Sequence, residues 1–545
     1  MRREERPNHI TISASTGYTR RSMLPLLPVL IVFLWIGFYG LDFGTHWDEP
    51  SAKFASIKHT LQTGVFLQGG EGTHGATYNY GGVNYLLTWA GLIPEVSHFL
   101  FHDPFTREAF SAAISPDLYS DRVRMKVRRI YLVLSALSVV LLYCLALVMG
   151  RSRLEAFLAA AVLGASWEFA YHSRWIAPDV VMTQFSLLSL LCAAMGLSRK
   201  SNVWFTLAAA AAGLAIGTKY TAALVVPFVL AAATIAGRRE GQTIKSILRS
   251  SGRLLGITAV VFLVTSPGIL LDPFRFIAEL KFQQEVYATG WFGYTVEPGL
   301  THLSAILKYF ALQVFSPYWP ISIFFAGLSV VGLLALLKEF RAFNVLIVGF
   351  VTMWVIYFSG QAAMLVRNLM VMVPLLCLAA ARGIVLLSEC FEQRTGHAVV
   401  AILALPLAFS YVWQIDAAVQ VKLRRHEEKF VQQFTDYVAK SPSNTVLISK
   451  KLANYIQMYG GQSPENVTTN PDVPYTKVAF LQSEGADIYW EKWPANWWDM
   501  YERDFGAKEV NLEAYPTFVG NERILLTSTA HFDRLPLKTA DLFKP

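Results

Sequence analysis

The chain has 545 residues, of which 54% are hydrophobic and only 16% charged, with a formal net charge of +8. A soluble protein of this length carries far more surface charge, so a soluble globular protein is excluded. The apolar residues come in long runs rather than alternating short ones, which excludes a membrane barrel. The excess Lys and Arg sit in the short loops between the runs, so membrane topology rather than nucleic-acid binding explains the net charge.

The first run, 24–40, follows MRREERPNHI and Arg20-Arg21. It is too long for a signal-peptide core and no small-residue cleavage site follows it, so it reads as a retained span after a cytoplasmic tail at 1–23. Further spans are expected at 130–149, 154–171, 180–197, 204–217, 221–236, 254–271, 318–337, 345–358, 369–387 and 399–412, about eleven in all. A span must cover a hydrocarbon core of roughly 30 Å, and 204–217 is short for that. With the N-terminus inside, the inner loops hold Arg151 and Arg153, Arg199 and Lys200, 238–253, Lys338 and Arg341, and Arg394; every one is basic, as the positive-inside rule requires. The regions 41–129, 272–317 and 416–545 then lie outside. Within the first, YLLTWAGLIPEVSHFL (85–100) is interrupted by Pro94 and Glu95 and reads as an interfacial helix. Counting it as a span would put the later basic loops outside.

The region 416–545 reads as a separate small α/β domain, with a helix over 421–440 and strands in NTVLISK, KVAFLQS and RILLTS. Its Asn466-Val467-Thr468 matches a glycosylation sequon, for which chance is the better explanation. Cys144, Cys192, Cys377 and Cys390 all lie in or beside apolar runs, so neither disulfides nor a zinc site is expected in the polar regions. The expected fold class is an all-α polytopic membrane protein, its spans within 24–415, with a C-terminal extracytoplasmic α/β domain. A bacterial or archaeal cell membrane suits it better than the endoplasmic reticulum.

Chemistry-bearing residues gather in the outer turns. HWDEP, just after the first span, supplies His46, Asp48 and Glu49. Acidic residues at that depth cap, pair or work. One carboxylate can cap the following helix while the other acts as general base, since neighbours on a helix diverge by about 100°. HSRWIAPD supplies His172, Arg174 and Asp179. Arg174 suits a phosphate because its fork of donors keeps its charge, and it also suits snorkelling to headgroups. Asp179 follows a Pro and can cap. In GTKYTAALVVPF, Lys219 stands between two apolar segments and needs a partner or an anionic ligand: a carboxylate such as Asp48 or Asp179, or a phosphate. Arg367 opens MLVRNLMVMVPLL and is a second phosphate or snorkelling candidate. Trp291, Phe292, Tyr294 and His302 make the 272–317 loop aromatic, offering a weak case for sugar stacking. No P-loop, Rossmann motif or His/Cys metal spacing is present. A divalent ion at Asp48 or Glu49 is left open.

In order, side and spacing these features resemble the C-superfamily (GT-C) membrane glycosyltransferases, in the branch of protein O-mannosyltransferases and the lipid A aminoarabinose transferase. The resemblance rests on the acidic pair Asp48-Glu49, the R-x4-D turn of Arg174 and Asp179, the T-K turn of Thr218 and Lys219, and Arg367 before the helix containing Pro374. It covers roughly 24–415. The family's Pro-Pro or similar pair in the Tyr-rich stretch is replaced by NYGGVNY. The resemblance implies transfer of a sugar from a polyprenyl or dolichyl phosphate to an acceptor outside the cytoplasm, a protein hydroxyl, lipid or glycan. It implies Asp48 as base or acceptor-positioning group, with phosphate binding falling to Lys219, Arg174 or Arg367. Expected partners are the lipid-linked donor, membrane lipid and an acceptor protein or glycolipid, without nucleic acid and with no cofactor required. The rival is a transporter of a lipid-linked or small anionic substrate. That class commonly shows internal repeats and broken helices at the midplane; here no repeat is found and the charges sit at one face.

Overall fold

The computed structural model describes residues 23–42, 49, 54–64, 78–102, 106–115, 118, 120–290, 294–423, 434–440, 443–450, 452–453, 456, 463–481, 510–513 and 523–532. Helix α1 (Leu26–Tyr39) opens the described chain, and α2 (Ala55–Thr63) ends, as expected, on the left-handed Gly64. The stretch expected as one helix over 85–100 is two, α3 (Gly82–Gly91) and α4 (Ile93–His102), broken at Leu92 rather than Pro94. Proline sits there in the first turn of α4, where its missing N–H has no helical partner to lose. Then follow α5 (Arg107–Ile114), α6 (Asp121–Val148), α7 (Arg153–Ala165), α8 (Trp167–His172), α9 (Pro178–Arg199), α10 (Asn202–Ile216), α11 (Val226–Arg239) and α12 (Ile244–Thr265). The outer loop at 272–317 is itself helical, with α14 (Pro273–Thr289) after the single turn α13 (Gly268–Leu271), and α15 (Leu300–Leu312). The last apolar helices are α16 (Trp319–Lys338), α17 (Ala342–Ser359), α18 (Val373–Glu389) and α19 (Gln393–Leu423).

Among the described residues, eight helical segments are long and apolar enough to cross a membrane, and each overlaps an expected span. The other three expected spans are α1 and α10, of 14 and 15 residues, and the α7–α8 pair broken at Ser166. At 1.5 Å per residue, α1 and α10 reach only about 21–23 Å. Two helices start well before their expected apolar cores. Helix α6 begins at Asp121, capped by the Ser120 side chain accepting from Val123 N, and α12 begins at Ile244, capped by Thr243 accepting from Ser246 N. Both extensions are rich in Lys and Arg, and hydropathy mistakes a basic amphipathic turn for a loop.

Contacts at the basic end join two of the expected inner loops, those of Arg151 and of Lys338 and Arg341. Arg151 donates to both Glu339 carboxylate oxygens at 2.8 and 2.7 Å, and Arg382 Nε donates to Glu339 Oε1 at 3.0 Å. Burial alone would raise the Glu339 carboxyl, but Arg151, Arg382 and Asn344 outweigh it and hold it down to about 2. The turns before α7, between α16 and α17, and along α18 are thereby tied together.

At the other end the glycines of NYGGVNY have a steric cause. Gly81 N–H donates to Thr218 O and Val83 N–H to Gly217 O, clasping the start of α3 to the turn that carries Lys219. A Cβ at Gly81 would stand 2.0 Å from Gly217 O, and one at Gly82 would stand 2.2 Å from Thr265 O. Only glycine fits between two backbones this close. Gly81→Ala is therefore expected to lower stability by about 1–3 kcal/mol, as overpacking does; a thermal melt of the purified protein that did not move would refute the clasp.

In the C-terminal region the expected strands are found within a five-stranded sheet of β1 (Val446–Ile448), β2 (Val467–Thr468), β3 (Lys477–Leu481), β4 (Val510–Glu513) and β5 (Arg523–Ser528), in the order β2-β1-β3-β5-β4. Strand β1 runs parallel to β2 and β3, while β5 pairs antiparallel with β3 and β4. Phe434, Val438, Val446, Ile448 and Leu526 form its core. The sequon residue Asn466 spends its amide on Val438 O and Asn444 O, at 3.1 and 3.0 Å.

Candidate functional site

Four segments far apart in sequence meet at the end opposite the basic loops. The first is the turn between α8 and α9, which holds Arg174; Asp179 follows in the first turn of α9, after Pro178 at its start. The second is the turn after α10. There Lys219 adopts extended backbone, φ −152° and ψ 129°, before the 3₁₀ turn Tyr220–Val225. The third is the 3₁₀ segment Val366–Met372, which carries Arg367 and Asn368, and the fourth is α14, which brings Tyr287.

Their centre is a buried polar network. Lys219 Nζ donates to Asp179 Oδ1 and to Asn368 Oδ1, each at 2.6 Å. Tyr287 Oη donates to the same Asn368 oxygen at 3.1 Å, and Trp354 Nε1 donates to Asn368 O at 3.0 Å. Asp179 and Asn368 are 0% exposed and Lys219 6%, so the ammonium is held in a water-poor setting where its field is strong. Burial pushes the Tyr287 phenol up to about 12; Arg367 pulls against that and Asp179 adds to it, so all three share one electrostatic neighbourhood. Arg174 is buried at 1% exposure, with Nη1 close beside Gly40 at the end of α1.

Glu49 lies at the same end but as part of a clamp. It is 0% exposed; Arg128 of α6 donates to its two carboxylate oxygens at 2.8 and 2.6 Å, and Ile176 N–H donates to Oε1 at 3.0 Å. Arg128 also donates to Leu41 O at 2.8 Å. The clamp joins the end of the α1 segment, α6 and the Arg174 turn, so Glu49 is a paired anion and three donors already surround it. Asp48, His46 and Trp291 lie outside the described residues. The loop after position 291 is nonetheless zipped onto the turn before Arg367: Met364 N–H donates to Tyr294 O at 2.6 Å and Val296 N–H to Ala362 O at 2.8 Å. Among the described residues, no group of three or more His, Cys, Asp or Glu side chains gathers as for a metal ion.

The Tyr-rich stretch closes the arrangement. Gln283 of α14 donates to Asn79 Oδ1 at 2.6 Å, Tyr78 N–H donates to Glu279, and Tyr220 Oη donates to Tyr80 O at 3.2 Å. Beside it, Tyr309 Oη donates to Glu168 Oε2 at 2.9 Å, and His172 Nε2 lies 3.5 Å from that oxygen. Sequence reasoning passed over Arg128, Asn368, Tyr287 and Glu168. The first falls in the region expected as loop, and nothing in the local pattern marks the other three.

Residues 107–278, which include Arg174, Asp179 and Lys219, match the family model of dolichyl-phosphate-mannose-protein mannosyltransferase. Among solved structures the chain is similar to ArnT from Cupriavidus metallidurans bound to undecaprenyl phosphate, at 12% identity and a TM-score of 0.51, over 93% of this chain and 99% of that one. The apo state of that ArnT aligns at 14% identity and a TM-score of 0.50, over 94% and 99%. The chain has the GT-C glycosyltransferase fold. The oligosaccharyltransferase AglB from Archaeoglobus fulgidus aligns less well, at 11% identity and a TM-score of 0.47, over 87% of this chain and 72% of AglB. No curated protein sequence matches. Within this fold, the Lys219 network occupies the ends of α9 and α10 opposite the basic loops and the start of α18, and the chain is an integral multi-pass membrane protein.

Proposed function

We propose that the protein is a glycosyltransferase that moves a sugar from a polyprenyl or dolichyl phosphate to an acceptor outside the cytoplasm. The observation that carries this is the buried Lys219–Asp179–Asn368 network, with Arg174 and Arg367 at the same end of the bundle. A sugar leaving group that is a lipid phosphodiester turned phosphate gains negative charge as the anomeric bond breaks. Fixed cations in a water-poor site stabilise that charge without reorganising, and Arg174 and Arg367 offer forked donors for its oxygens. Asp179 and Asn368 hold Lys219 in place for that role. In this reading Asp48 takes the proton from the acceptor hydroxyl in a single inverting displacement. Glu49, clamped at Arg128 and Ile176, anchors the loop instead of sharing the chemistry. His46 and Trp291 are assigned to the substrate side, the latter by stacking on the sugar. The similarity to an ArnT that binds undecaprenyl phosphate, and the mannosyltransferase family match, agree with a lipid-phosphate donor.

Asp48→Asn should abolish transfer from a lipid-phosphate sugar in proteoliposomes while leaving the thermal melt in place. Turnover within twofold of the parent protein would remove Asp48 as the base.

A further inference from the structure

At the basic end of the bundle a small open pocket lies between the ends of α9, α10, α11 and α12. Helix α9 has 22 residues, so at 1.5 Å each the pocket is about 33 Å from the Asp179 end. It is separate from the site above. Its rim carries Lys200, Asn202, Ser250 and Arg253, and its apolar wall includes Phe205 and Leu254. Seven cations, Arg199, Lys200, Arg238, Arg239, Lys245, Arg249 and Arg253, belong to these four helix ends, against the single acid Glu240. Gln242 Nε2 already donates to that carboxylate at 3.0 Å.

The surroundings identify the kind of ligand. On the same ends of α10 and α12, Val203, Ile244 and Leu248 are 66%, 60% and 66% exposed, and three large apolar side chains left open on helices of this length belong against lipid tails. Gly252 and Gly256 of α12 face open space, with nothing within 4 Å of a Cβ placed on them. The Arg253 guanidinium is positioned by Thr206 Oγ1 at 2.8 Å, and Arg199 lies over the Trp204 ring at 5.5 Å. Hydroxyl and amide donors, cations on the rim and an apolar wall near exposed aliphatic side chains suit a phosphate joined to acyl chains, the headgroup of a membrane lipid. Basic pockets between membrane helices bind such headgroups, and each nearby Lys or Arg adds to the attraction for an anionic leaflet.

We infer that this pocket is a binding site for the headgroup of an anionic phospholipid from the leaflet at the basic end. The site requires a negatively charged headgroup joined to acyl chains, which separates it from a site for free phosphate. It does not depend on the glycosyltransferase reading.

The test is native mass spectrometry of the full chain in neutral detergent, offered equimolar phosphatidylglycerol and phosphatidylcholine. The expected result is at least a tenfold preference for phosphatidylglycerol in the parent protein. That preference should fall in Lys200→Gln and in Arg253→Gln, be lost in the double variant and persist in Lys338→Gln, a change of an exposed cation elsewhere on the same end. Thermal melts establish which variants are folded, and if the double variant is not, the two single variants decide. Three results would each overturn the proposal: no preference in the parent protein, an equal loss in Lys338→Gln, or displacement of phosphatidylglycerol by inorganic phosphate at equal concentration.

Discussion

Lys219→Met is expected to reduce sugar transfer by about 10²–10³-fold, the range seen when one fixed stabiliser of transition-state charge is removed. It should also destabilise the fold. Lys219 holds a 2.6 Å contact to Asp179, a residue with no exposed surface, and removing one member of a buried ion pair costs roughly 3–5 kcal/mol because the other charge is left behind. These two losses can be separated. In Asp179→Asn/Lys219→Met no charge is stranded, so the melt should return most of the way to the parent value while transfer stays low. Recovery of both melt and transfer in the double variant would show that Lys219 serves only to neutralise Asp179. Measurement of turnover in proteoliposomes beside the melt in detergent decides between the two.

The second large effect is expected at the clamp. Arg128 and Glu49 are 1% and 0% exposed and meet through two hydrogen bonds, so Arg128→Met strands a carboxylate and should cost roughly 3–5 kcal/mol. Its consequence for activity runs through position. Glu49 follows Asp48 directly in the chain, and losing the Arg128 fork leaves the Ile176 N–H bond to hold it against the Arg174 turn, a looser anchor for the neighbouring Asp48. Misplacement of a reacting group by about 1 Å can cost 10²-fold, and a loss of transfer of that order is expected even at temperatures where the variant remains folded. Glu49→Gln/Arg128→Met removes both charges and should recover stability but not transfer, because a neutral amide has lost its forked partner. If Arg128→Met melted and turned over like the parent protein, the clamp would have no part in holding the loop.

Both effects rest on pairings that sequence reasoning reached unevenly. For Lys219 two carboxylates were open, and Asp179, 40 positions away, is the one found among its partners. Asn368, which shares the ammonium, lies 149 positions away and has no local signature: an Asn beside an Arg at the start of a span is ordinary. Arg128 is 79 positions from Glu49 and stands in a run of cations that hydropathy assigns to a loop. Its role became visible only once α6 was seen to start at Asp121, since that start turns Arg128 into the buried face of a helix. NYGGVNY likewise looked like a gap in the family pattern until the Gly217 backbone was found against it.

What the amino-acid order determined by itself was the set of apolar helices and the charge of each loop between them. Both are local properties: lipid requires each spanning segment to satisfy its own backbone, and loop charge is counted loop by loop. The tertiary structure alone decided which cation meets which anion, where a Cβ has no room, and that the α14 loop folds back to reach Asn368. Those contacts depend on how helices pack after each has formed, and a chain read residue by residue holds no record of a neighbour that arrives from a hundred positions away.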